Sequence, residues 1–379
     1  MIYLDNSATT KPDTSVIKSF QQVSERYYGN PSSIHGMGAE VEKLQEKARQ
    51  QAASLLHIND TEVTFTSGGT EGNNLAIKGI AFRYAQRGKH IITTEIEHAS
   101  VYETCKNLEE FGYTVTYLPV DDSGHIQVEQ LEAAITEDTI LVSIMHVNNE
   151  TGAIQPIADI GYLLKKHPKI FFHVDAVQSL GKVPFTLSNS GIDLCTFSGH
   201  KIHGLKGTGM LYIRDGIQLT PLFHGGNQER ALRSGTENVA GNVSFVRALR
   251  LIKEKEQTEM KQLKQHHQFV IEELSKRNDI QVNSTVDGAP HIINISVPGY
   301  KSETIIHALY EKGAVLSTQS ACSSKQSDVS RVLKAYGLTD EAAKTGLRVS
   351  MSFETSKSEL EQFVVIFDEV IQQLKQVME

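Results

Sequence analysis

Seven short β-rich runs alternate with helical or turn-rich stretches between residues 60 and 213. The runs are EVTFTSG, HIITTEI, TVTYLPV, TILVSIMHV, KIFFHVDAV, DLCTFSG and GTGMLYI. This alternation is typical of a mainly parallel β-sheet, because parallel strands need long crossover connections that are usually helices. The sequence therefore predicts an α/β fold with a mainly parallel seven-stranded sheet covered by helices.

Polar residues follow the carboxyl ends of several predicted strands. They are Ser67-Gly68-Gly69-Thr70, Glu97-His98, Asn148-Asn149-Glu150, Asp175 and Ser198-Gly199-His200-Lys201. In open α/β sheets, ligands bind in the crevice beyond the carboxyl ends of the strands. We therefore expect these side chains to line one pocket.

The length of 379 residues exceeds that of one ordinary core and indicates two domains. A Lys/Glu/Gln-rich pattern over about 241–276 predicts one long helix that leaves the larger domain. After it, HIINISV and GLRVSMSF predict strands, SETIIHALYEKG predicts a helix, and the spacing of Ser356 and Glu359 predicts a capped final helix. We expect a large domain over residues 15–257 and a smaller α+β C-terminal domain of residues 1–14 and 258–379.

Composition and charge narrow the possible partners and location. The formal net charge of -8 argues against nucleic acid or an anionic membrane as the main partner. The three cysteines have no CxxC spacing, so neither a disulfide framework nor a zinc ribbon is predicted. MIYLDNSATTKP has no basic region before an apolar stretch, and no apolar run reaches the roughly 20 residues of a membrane span. We expect a soluble protein of the reducing cytoplasm.

The segment FSGHKIHGLKGTG, residues 197–209, places Lys201 between two histidines and ahead of several glycines. The histidines could bind a metal, the glycines could hold a phosphate, and a shielded lysine could form an imine with a carbonyl compound. A metal is disfavoured because His200 and His203 lie in a glycine-containing stretch with no regular element to aim both rings at one ion. A lysine at a strand end is instead a candidate for imine formation.

The segment TSGGTEGNN, residues 66–74, follows a predicted strand and precedes the helical pattern LAIKGIAFRYA. Glycines let a backbone approach an anion, and the first turn of a helix offers free N–H groups to a phosphate. The glycine spacing matches neither the Rossmann fingerprint nor the Walker sequence. On its own, the segment is equally consistent with a simple helix-capping turn.

Three further side chains have both a structural and a chemical interpretation. Asp175 ends the predicted strand in FFHVDAVQS, where a carboxylate commonly caps a turn but could also keep a pyridinium nitrogen protonated. Arg348 lies among apolar residues in GLRVS and needs an anionic partner, which a substrate carboxylate could provide. His98 could be an ordinary hydrogen-bonded histidine at a strand end.

Cys322 lies in STQSACSSKQSD, a serine-rich polar segment without hydrophobic periodicity. This pattern predicts an exposed loop, and a cysteine in such a loop indicates a reactive thiol. Cys195 in DLCTF and Cys105 on a predicted helix are expected to be structural, because most free cysteines are small buried hydrophobic residues.

Taken together, these motifs resemble the cysteine desulfurases of the NifS/IscS type, which are class-V aminotransferases among the fold-type I pyridoxal-phosphate enzymes. The motifs that carry the resemblance are YLDNSATT, GNPSSIH, TSGGTEGNN, EIEHASV, NNETG, HVDAVQS, SGHKIHG, RSGTEN, SACSS and LRVS, in chain order. The chain has Gly69 and Gly72 where many relatives carry Ala and Ser. The resemblance implies a fold-type I transferase fold, a homodimer and pyridoxal 5′-phosphate as the cofactor.

The resemblance also implies roles for individual residues around this cofactor. Lys201 would hold pyridoxal phosphate covalently and act in catalysis. Asp175 would pair with the ring nitrogen, Gln178 would contact the phenolic oxygen, and His98, also catalytic, would stack on the ring. The phosphate would be bound by Gly69, Thr70, Ser198 and His200, together with Thr236 from the second subunit.

For the substrate, the resemblance implies that Asn149 and Arg348 bind the carboxylate and that Cys322 is the nucleophile. The implied reaction converts L-cysteine to L-alanine and leaves a persulfide on Cys322, whose sulfur passes to an acceptor protein. That acceptor would be a tRNA-thiolating enzyme or an iron–sulfur scaffold, and the enzyme would bind no nucleic acid, membrane or metal directly. Alternatives are a selenocysteine lyase or another β-eliminating lyase with this cofactor. A non-catalytic scaffold is disfavoured by the presence of Lys201, Asp175, Cys322 and Arg348.

Overall fold

The computed structural model describes residues 1–318 and 329–378. The strands are β1 (Ile2–Tyr3), β2 (Val63–Thr66), β3 (His90–Thr94), β4 (Thr114–Leu118), β5 (Thr139–Met145), β6 (Phe171–Asp175), β7 (Leu194–Ser198), β8 (Gly209–Ile213), β9 (Gln281–Val282), β10 (Ile292–Ser296), β11 (Ala314–Val315) and β12 (Gly346–Ser350). The helices are α1 (Thr14–Arg26), α2 (Gly36–Leu56), α3 (Gly69–Arg83), α4 (Ala99–Glu110), α5 (Val128–Ala134), α6 (Ile157–Leu164), α7 (Val239–Thr258), α8 (Met260–Ser275), α9 (Ser302–Glu311), α10 (Arg331–Ala335), α11 (Asp340–Lys344) and α12 (Lys357–Met378). No helix within these residues combines the length and the apolar character needed to cross a lipid bilayer.

A seven-stranded sheet forms the centre of the fold, in the order β2-β8-β7-β6-β5-β3-β4. Neighbouring strands from β7 to β4 in this order pair in parallel. β8 runs antiparallel to both of its neighbours, β7 and β2. All seven β-rich runs of the sequence are strands of this sheet, so the predicted mainly parallel α/β fold is confirmed.

Both faces of the large sheet are buried, as expected for parallel strands that are covered by helices. Adjacent residues of one strand enter different hydrophobic clusters, because successive side chains of a strand point to opposite faces. In β5, Leu141 belongs to a cluster with Leu75 of α3, whereas Val142 belongs to a cluster with Phe245 of α7. Packing on both faces of the sheet holds the strands in place, and the candidate site is built from residues at the ends of these strands.

A second, smaller sheet lies in the C-terminal part of the chain, with antiparallel strands in the order β12-β10-β9. Its apolar cluster includes residues of α8, α9 and α12, and also Ile2 and Leu4 from the N-terminus. β1 pairs in parallel with β11 next to this cluster. The predicted α+β character of this part is confirmed, while the division of the chain at residues 15 and 257 stays a prediction.

The predicted long helix over residues 241–276 is wrong, because the structure has two helices, α7 and α8, with Glu259 between them. The φ angle of Glu259 is -117°, far from the helical value of about −63°. The two helices bury their apolar faces in different places. Phe245 and Leu249 of α7 pack in the core of the large sheet, whereas Leu263 and Val270 of α8 pack in that of the smaller sheet.

The final helix, α12, begins with the predicted capping box. The Ser356 N–H donates to Glu359 Oε2 at 2.8 Å, and the Glu359 N–H donates to Ser356 Oγ at 3.2 Å. These reciprocal bonds satisfy two N–H groups that a helix start would otherwise leave unpaired.

Candidate active site

One cavity of about 220 Å³ lies at the carboxyl ends of the strands of the large sheet. It is lined by Ser7, Ala8, Gly69, Thr70, Asn73, His98, Ser100, Met145, Val147, Asn149, Asp175, Val177, Gln178, Ser198, His200, Lys201 and Arg348. Ten of the twelve site residues named from the sequence are in this set, and the other two are Thr236 and Cys322. The strand ends therefore meet at one cavity.

Some residues of the polar strand ends do not reach the cavity and instead support it from within the fold. Glu97 Oε1 accepts a hydrogen bond from the Met145 N–H at 2.9 Å, and burial raises the pKa of Glu97 to about 8. Asn148 Nδ2 donates to the Ile96 carbonyl oxygen at 2.9 Å. These contacts join the ends of β3 and β5, so they fix the positions of the cavity residues that follow each strand.

Asp175 ends β6, is only 5% exposed, and uses its two carboxylate oxygens differently. Oδ1 accepts the Val177 N–H at 3.0 Å and so caps the next turn, as the structural interpretation of the sequence predicted. Oδ2 accepts a hydrogen bond from Asn73 Nδ2 at 2.7 Å. Asp175 also lines the cavity. Its carboxylate can therefore contact a ligand while it caps the turn.

A chain of hydrogen bonds connects Asp175 to His98 through Asn73 and Ser100. Asn73 Nδ2 donates to Ser100 Oγ at 2.8 Å, and that hydroxyl lies 2.8 Å from His98 Nδ1. The Ser100 N–H donates to the same nitrogen at 3.1 Å, so a neutral His98 ring carries its proton on Nε2. Burial lowers the pKa of His98, with Asp175 opposing this shift and Lys201 adding to it. The cavity thus receives a neutral, oriented imidazole.

Asn73 and Ser100 were not predicted from the sequence. Asn73 lies one helical turn after Gly69 and is 0% exposed, on the side of α3 that packs against the sheet. A buried amide needs hydrogen-bond partners, so an asparagine on the apolar face of a helix was the available signal. Ser100 gave no such signal, because serine is common in the first turn of a helix.

Lys201 follows β7 on a short turn, Gly199–Lys201. Its Nζ donates hydrogen bonds to the carbonyl oxygens of Ser7 and Ala8, the second at 2.8 Å. Both acceptors belong to the N-terminal segment that carries the YLDNSATT motif. The strand end and this segment therefore place the amine in the same cavity as Asp175.

The two histidines beside Lys201 lie in different surroundings. His200 lines the cavity, and burial lowers its pKa to about 3, with Lys201 acting in the same direction. His203 lies outside the set of lining residues, and its Nδ1 is 2.9 Å from the Lys11 carbonyl oxygen. Within residues 1–318 and 329–378, no group of three or more His, Cys, Asp or Glu side chains is placed to bind a metal ion.

The first turn of α3 forms one wall of the cavity and approaches its neighbours closely. Gly68 has a φ of 149°, which residues with a side chain rarely adopt, and a Cβ atom on Gly69 would lie 2.9 Å from Val177 Cγ2. Ser198 Oγ and Gln178 Oε1 are buried without a hydrogen-bond partner among the described residues. A helix start beside an unpaired hydroxyl suits a phosphate group.

Arg348 lies on β12 and reaches the cavity from the smaller sheet, with 1% of its surface exposed. Its Nη1 donates to the Asn149 carbonyl oxygen at 2.8 Å. Its Nη2 donates to Asp5 Oδ1 at 3.1 Å and to Ser317 Oγ at 2.8 Å. The anionic partner expected from the sequence is thus present within the chain as Asp5, which was not predicted to have a role at the site.

Thr236 is a predicted site residue that does not line the cavity. Thr236 is exposed, on the segment that leads into α7. Cys322 lies outside the described residues, so its predicted role is carried by the sequence alone. Cys105 and Cys195 are buried thiols that form no disulfide among the described residues, as predicted, and burial raises the pKa of both.

Comparison with known proteins identifies the family. The model of the family described as Aminotransferase class-V matches residues 2–363. The chain belongs to the class-V aminotransferases. A NifS/IcsS protein homolog of Lactobacillus delbrueckii subsp. bulgaricus is 43% identical, over 100% of this chain and 99% of that protein. A protein of Dictyoglomus turgidum named cysteine desulfurase IscS is 40% identical, over 99% of this chain and 96% of that protein.

The solved structure of a NifS-like protein has the same fold, with a TM-score of 0.92 and 37% identity over 98% of this chain and 99% of that one. Class-V aminotransferases are fold-type I enzymes that depend on pyridoxal phosphate, so the predicted fold class and cofactor are confirmed. The cavity of this class-V aminotransferase fits the cofactor on its own evidence. It combines a lysine amine, a buried carboxylate, a helix start and the unpaired Ser198 hydroxyl.

Proposed function

We propose that the chain is a cysteine desulfurase that converts L-cysteine to L-alanine and passes the sulfur to an acceptor protein. The observation that carries the proposal is one cavity that contains the Lys201 amine, the Asp175 carboxylate and the Arg348 guanidinium. Amino-acid chemistry with pyridoxal phosphate uses a lysine, a partner for the ring nitrogen and a partner for the substrate carboxylate. The name of the Dictyoglomus turgidum relative, cysteine desulfurase, supports this choice of reaction.

The cofactor would be held at its phosphate, its ring nitrogen and its ring face. The phosphate would be bound by Gly69, Thr70, Ser198 and His200. When bound, pyridoxal phosphate supplies an electron sink for the bonds at the substrate Cα. Asp175, held by the Asn73 amide, would keep the ring nitrogen protonated, and Gln178 would contact the phenolic oxygen. The neutral His98 ring would lie against the cofactor without adding a second positive charge next to Lys201.

The substrate would be held by its carboxylate while Lys201 moves the Cα proton. Arg348 and Asn149 line the same cavity, and Arg348 Nη1 is already bonded to the Asn149 backbone at 2.8 Å. The carbonyl oxygens of Ser7 and Ala8 orient the lysine amine at Nζ. A proton can therefore be taken up at this nitrogen while the carboxylate end of the substrate stays fixed.

Cys322 would supply the nucleophile. Its thiolate would attack the sulfur of the bound cysteine, so that an S–S bond forms while the substrate C–S bond breaks. The electron pair of the C–S bond passes to carbon, and a proton taken up there gives L-alanine. The sulfur stays on Cys322 as a persulfide. Because Cys322 lies outside the described residues, this step is supported by the sequence resemblance and by the relatives.

We further propose that the enzyme is a cytoplasmic homodimer and that a thiolate of a partner protein removes the persulfide sulfur. The partner would be a tRNA-thiolating enzyme or an iron–sulfur scaffold. Enzyme carrying radiolabelled persulfide, mixed separately with each candidate, would identify the acceptor by the protein on which the label is recovered.

Substitution of the nucleophile tests the proposed reaction. In Cys322→Ser, the cavity residues remain, so added L-cysteine should still change the visible absorption of the cofactor-loaded protein. L-Alanine should no longer form, because the hydroxyl cannot take up the sulfur. Ser323→Ala, a change at the adjacent position, should form L-alanine at the wild-type rate.

Two outcomes would contradict the desulfurase. Wild-type protein that releases pyruvate and sulfide, with no L-alanine, would be a β-eliminating lyase. L-Alanine formation from L-cysteine at the wild-type rate in Cys322→Ser would show that another group takes the sulfur.

A further inference from the structure

Arg348 is held by a carboxylate that lies 343 positions away in the sequence. Asp5 Oδ1 is 3.1 Å from Arg348 Nη2, and the two side chains are 18% and 1% exposed. A buried guanidinium needs a counter-charge, because an isolated charge inside a protein is costly. Asp5 supplies it from the N-terminal segment that also orients Lys201.

Arg348 Nη2, Asp5 Oδ1 and Ser317 Oγ are joined to one another by hydrogen bonds. Nη2 has two N–H groups, one for Asp5 Oδ1 and one for Ser317 Oγ at 2.8 Å. Ser317 donates its single hydroxyl hydrogen to Asp5 Oδ1 at 2.7 Å, so it receives the Arg348 N–H through a lone pair. Both Nη2 donors are therefore used.

Backbone contacts attach Asp5 to the strand that carries Arg348. Asp5 forms a bridge with Ser350, two residues after Arg348 on β12. The Ser350 N–H donates to Leu4 O at 2.7 Å, and the Asn6 N–H donates to Ser350 O at 3.2 Å. These bonds hold the Asp5 backbone beside β12 and so place its carboxylate within reach of the Arg348 guanidinium.

Two of the five N–H donors of Arg348 have no partner among the described residues. One is the second N–H of Nη1, whose first donates to Asn149 O, and the other is the Nε–H, which is buried. An unsatisfied buried donor on a charged group costs free energy, so an acceptor is expected there. Arg348 lines the cavity, so a carboxylate oxygen bound there could accept the second N–H of Nη1 in a charge-assisted hydrogen bond.

We propose that Asp5 is the positioning residue of the substrate-carboxylate site. Together with Ser317 it occupies both Nη2 donors and so fixes the orientation of the guanidinium, whose Nη1 has one N–H without a partner among the described residues to donate to the carboxylate of an amino acid. Asp5 also balances the charge of Arg348 before the substrate arrives. This inference rests on the proposed function, in which Arg348 binds the substrate carboxylate.

The test compares two ligands that differ only in the carboxylate. Dissociation constants for L-alanine and for ethylamine are measured by visible absorption of the cofactor-loaded protein. Asp5→Ala should weaken L-alanine binding by about tenfold, since a hydrogen bond to a charged group is lost. Ethylamine binding should not change. Asp279→Ala is the control, because it removes an aspartate paired with Arg277 and Lys375, which do not line the cavity.

Two results would overturn the inference. Equal weakening of both ligands would mean that Asp5 supports the cavity in general, and tighter L-alanine binding would mean that Asp5 only competes with the substrate for Arg348. If Asp5→Ala does not fold, the same two dissociation constants are measured for Asp5→Asn and Ser317→Ala. Each variant should weaken L-alanine binding relative to ethylamine binding, by less than the tenfold expected for Asp5→Ala. L-Alanine formation from L-cysteine is measured separately in the wild type. If the wild type forms no L-alanine, the proposed desulfurase activity is refuted. The comparison of L-alanine binding with ethylamine binding would still test the role of Asp5.

Discussion

At the scale of single residues, the same side chains serve the fold and the cavity. Asp175 caps a turn with one oxygen and binds Asn73 with the other, and His98 caps α4 while its ring lines the cavity. The structural interpretation of Asp175 as a turn cap is therefore confirmed, while the chemical roles of Asp175 and His98 stay predictions. A sequence pattern cannot separate them, because a strand end before a helix favours capping residues at the place where ligands bind.

Residues that act through a distant partner could not be recognised from the sequence. Lys201 and Arg348 were found because a lysine at a strand end and an arginine within an apolar strand are unusual in themselves. Asp5 became meaningful only when the fold placed it 3.1 Å from Arg348. Asn73 likewise required knowledge of which side of α3 faces the sheet.

The burial of the Lys182 amine is expected to destabilise the folded protein, and Lys182 does not line the cavity. It is 2% exposed, and its Nζ has no hydrogen-bond partner among the described residues. Burial lowers its pKa from 10.5 to about 7, and Lys201 adds to the shift. His200, His203 and His291, the histidines whose pKa values Lys182 helps to lower, offer no counter-charge.

We expect Lys182→Met to raise the free energy of unfolding by roughly 2–4 kcal/mol at pH 6.5, where most of the buried amine is charged. Between pH 7 and 10.5 the unfolded wild type binds this proton and the folded protein does not, so wild-type stability rises with pH in this window. The advantage of the variant should therefore shrink at pH 9. Urea unfolding at both pH values measures it, with the exposed Lys166→Met as control. A variant less stable than the wild type at both pH values would contradict this account.

At the scale of elements, the start of α3 is positioned by its contact with β7. A Cβ atom on Gly72 would lie 2.7 Å from Thr196 Cγ2, so glycine lets the helix approach the strand. Thr196 cannot easily turn away, because its hydroxyl is 3.0 Å from His173 Nε2. The distance between α3 and β7 sets the distance between the helix N-terminus and Ser198, the two parts of the expected phosphate site.

Gly72→Ala should therefore lower the affinity for pyridoxal phosphate and destabilise the protein by about 1–3 kcal/mol, because the added methyl group forces α3 away from β7. The double variant Gly72→Ala/Thr196→Ser should recover most of both losses, since it removes the clashing Cγ2. Gly36→Ala is the control, because no atom of the described residues lies within 4 Å of the added Cβ. Absorbance titration measures the affinity for the cofactor, and thermal unfolding measures the change in stability. Failure of the double variant to recover would show that the contact with Thr196 is not the cause.

The elements differ in how far the sequence predicts them. The seven strands of the large sheet were predictable because continuous apolar runs between polar turns are typical of strands buried on both faces. The break at Glu259 was not predictable, because the apolar spacing continues through it. It depends on the fact that α7 and α8 pack into two different cores, which is decided by the tertiary structure.

At the scale of the whole molecule, the surface near Thr236 supports the proposed dimer. Six large apolar or aromatic side chains between residues 17 and 37 are exposed. They are Ile17, Phe20, Tyr27, Tyr28, Ile34 and Met37. Ser32 in this stretch accepts a hydrogen bond from Gln228 at 3.5 Å, on the segment that leads to Thr236. Exposed apolar groups concentrated in one stretch of a chain are typical of protein–protein contact, so Thr236 lies beside a surface suited to a second subunit.

If Thr236 serves the phosphate site of the partner subunit, the defects of two different variants should complement each other. Thr236→Ala alone should retain the cofactor weakly in both sites, and Lys201→Ala alone should form no covalent bond to it. In a mixed dimer, one site combines the intact Lys201 of one subunit with the intact Thr236 of the other, so half of the sites should regain wild-type cofactor affinity. Sedimentation confirms that the mixed species is a dimer, and absorbance titration measures the recovered fraction. If mixed dimers bind the cofactor no better than Thr236→Ala alone, Thr236 serves the site of its own chain. If a wild-type monomer binds the cofactor with full affinity, the site needs no second subunit.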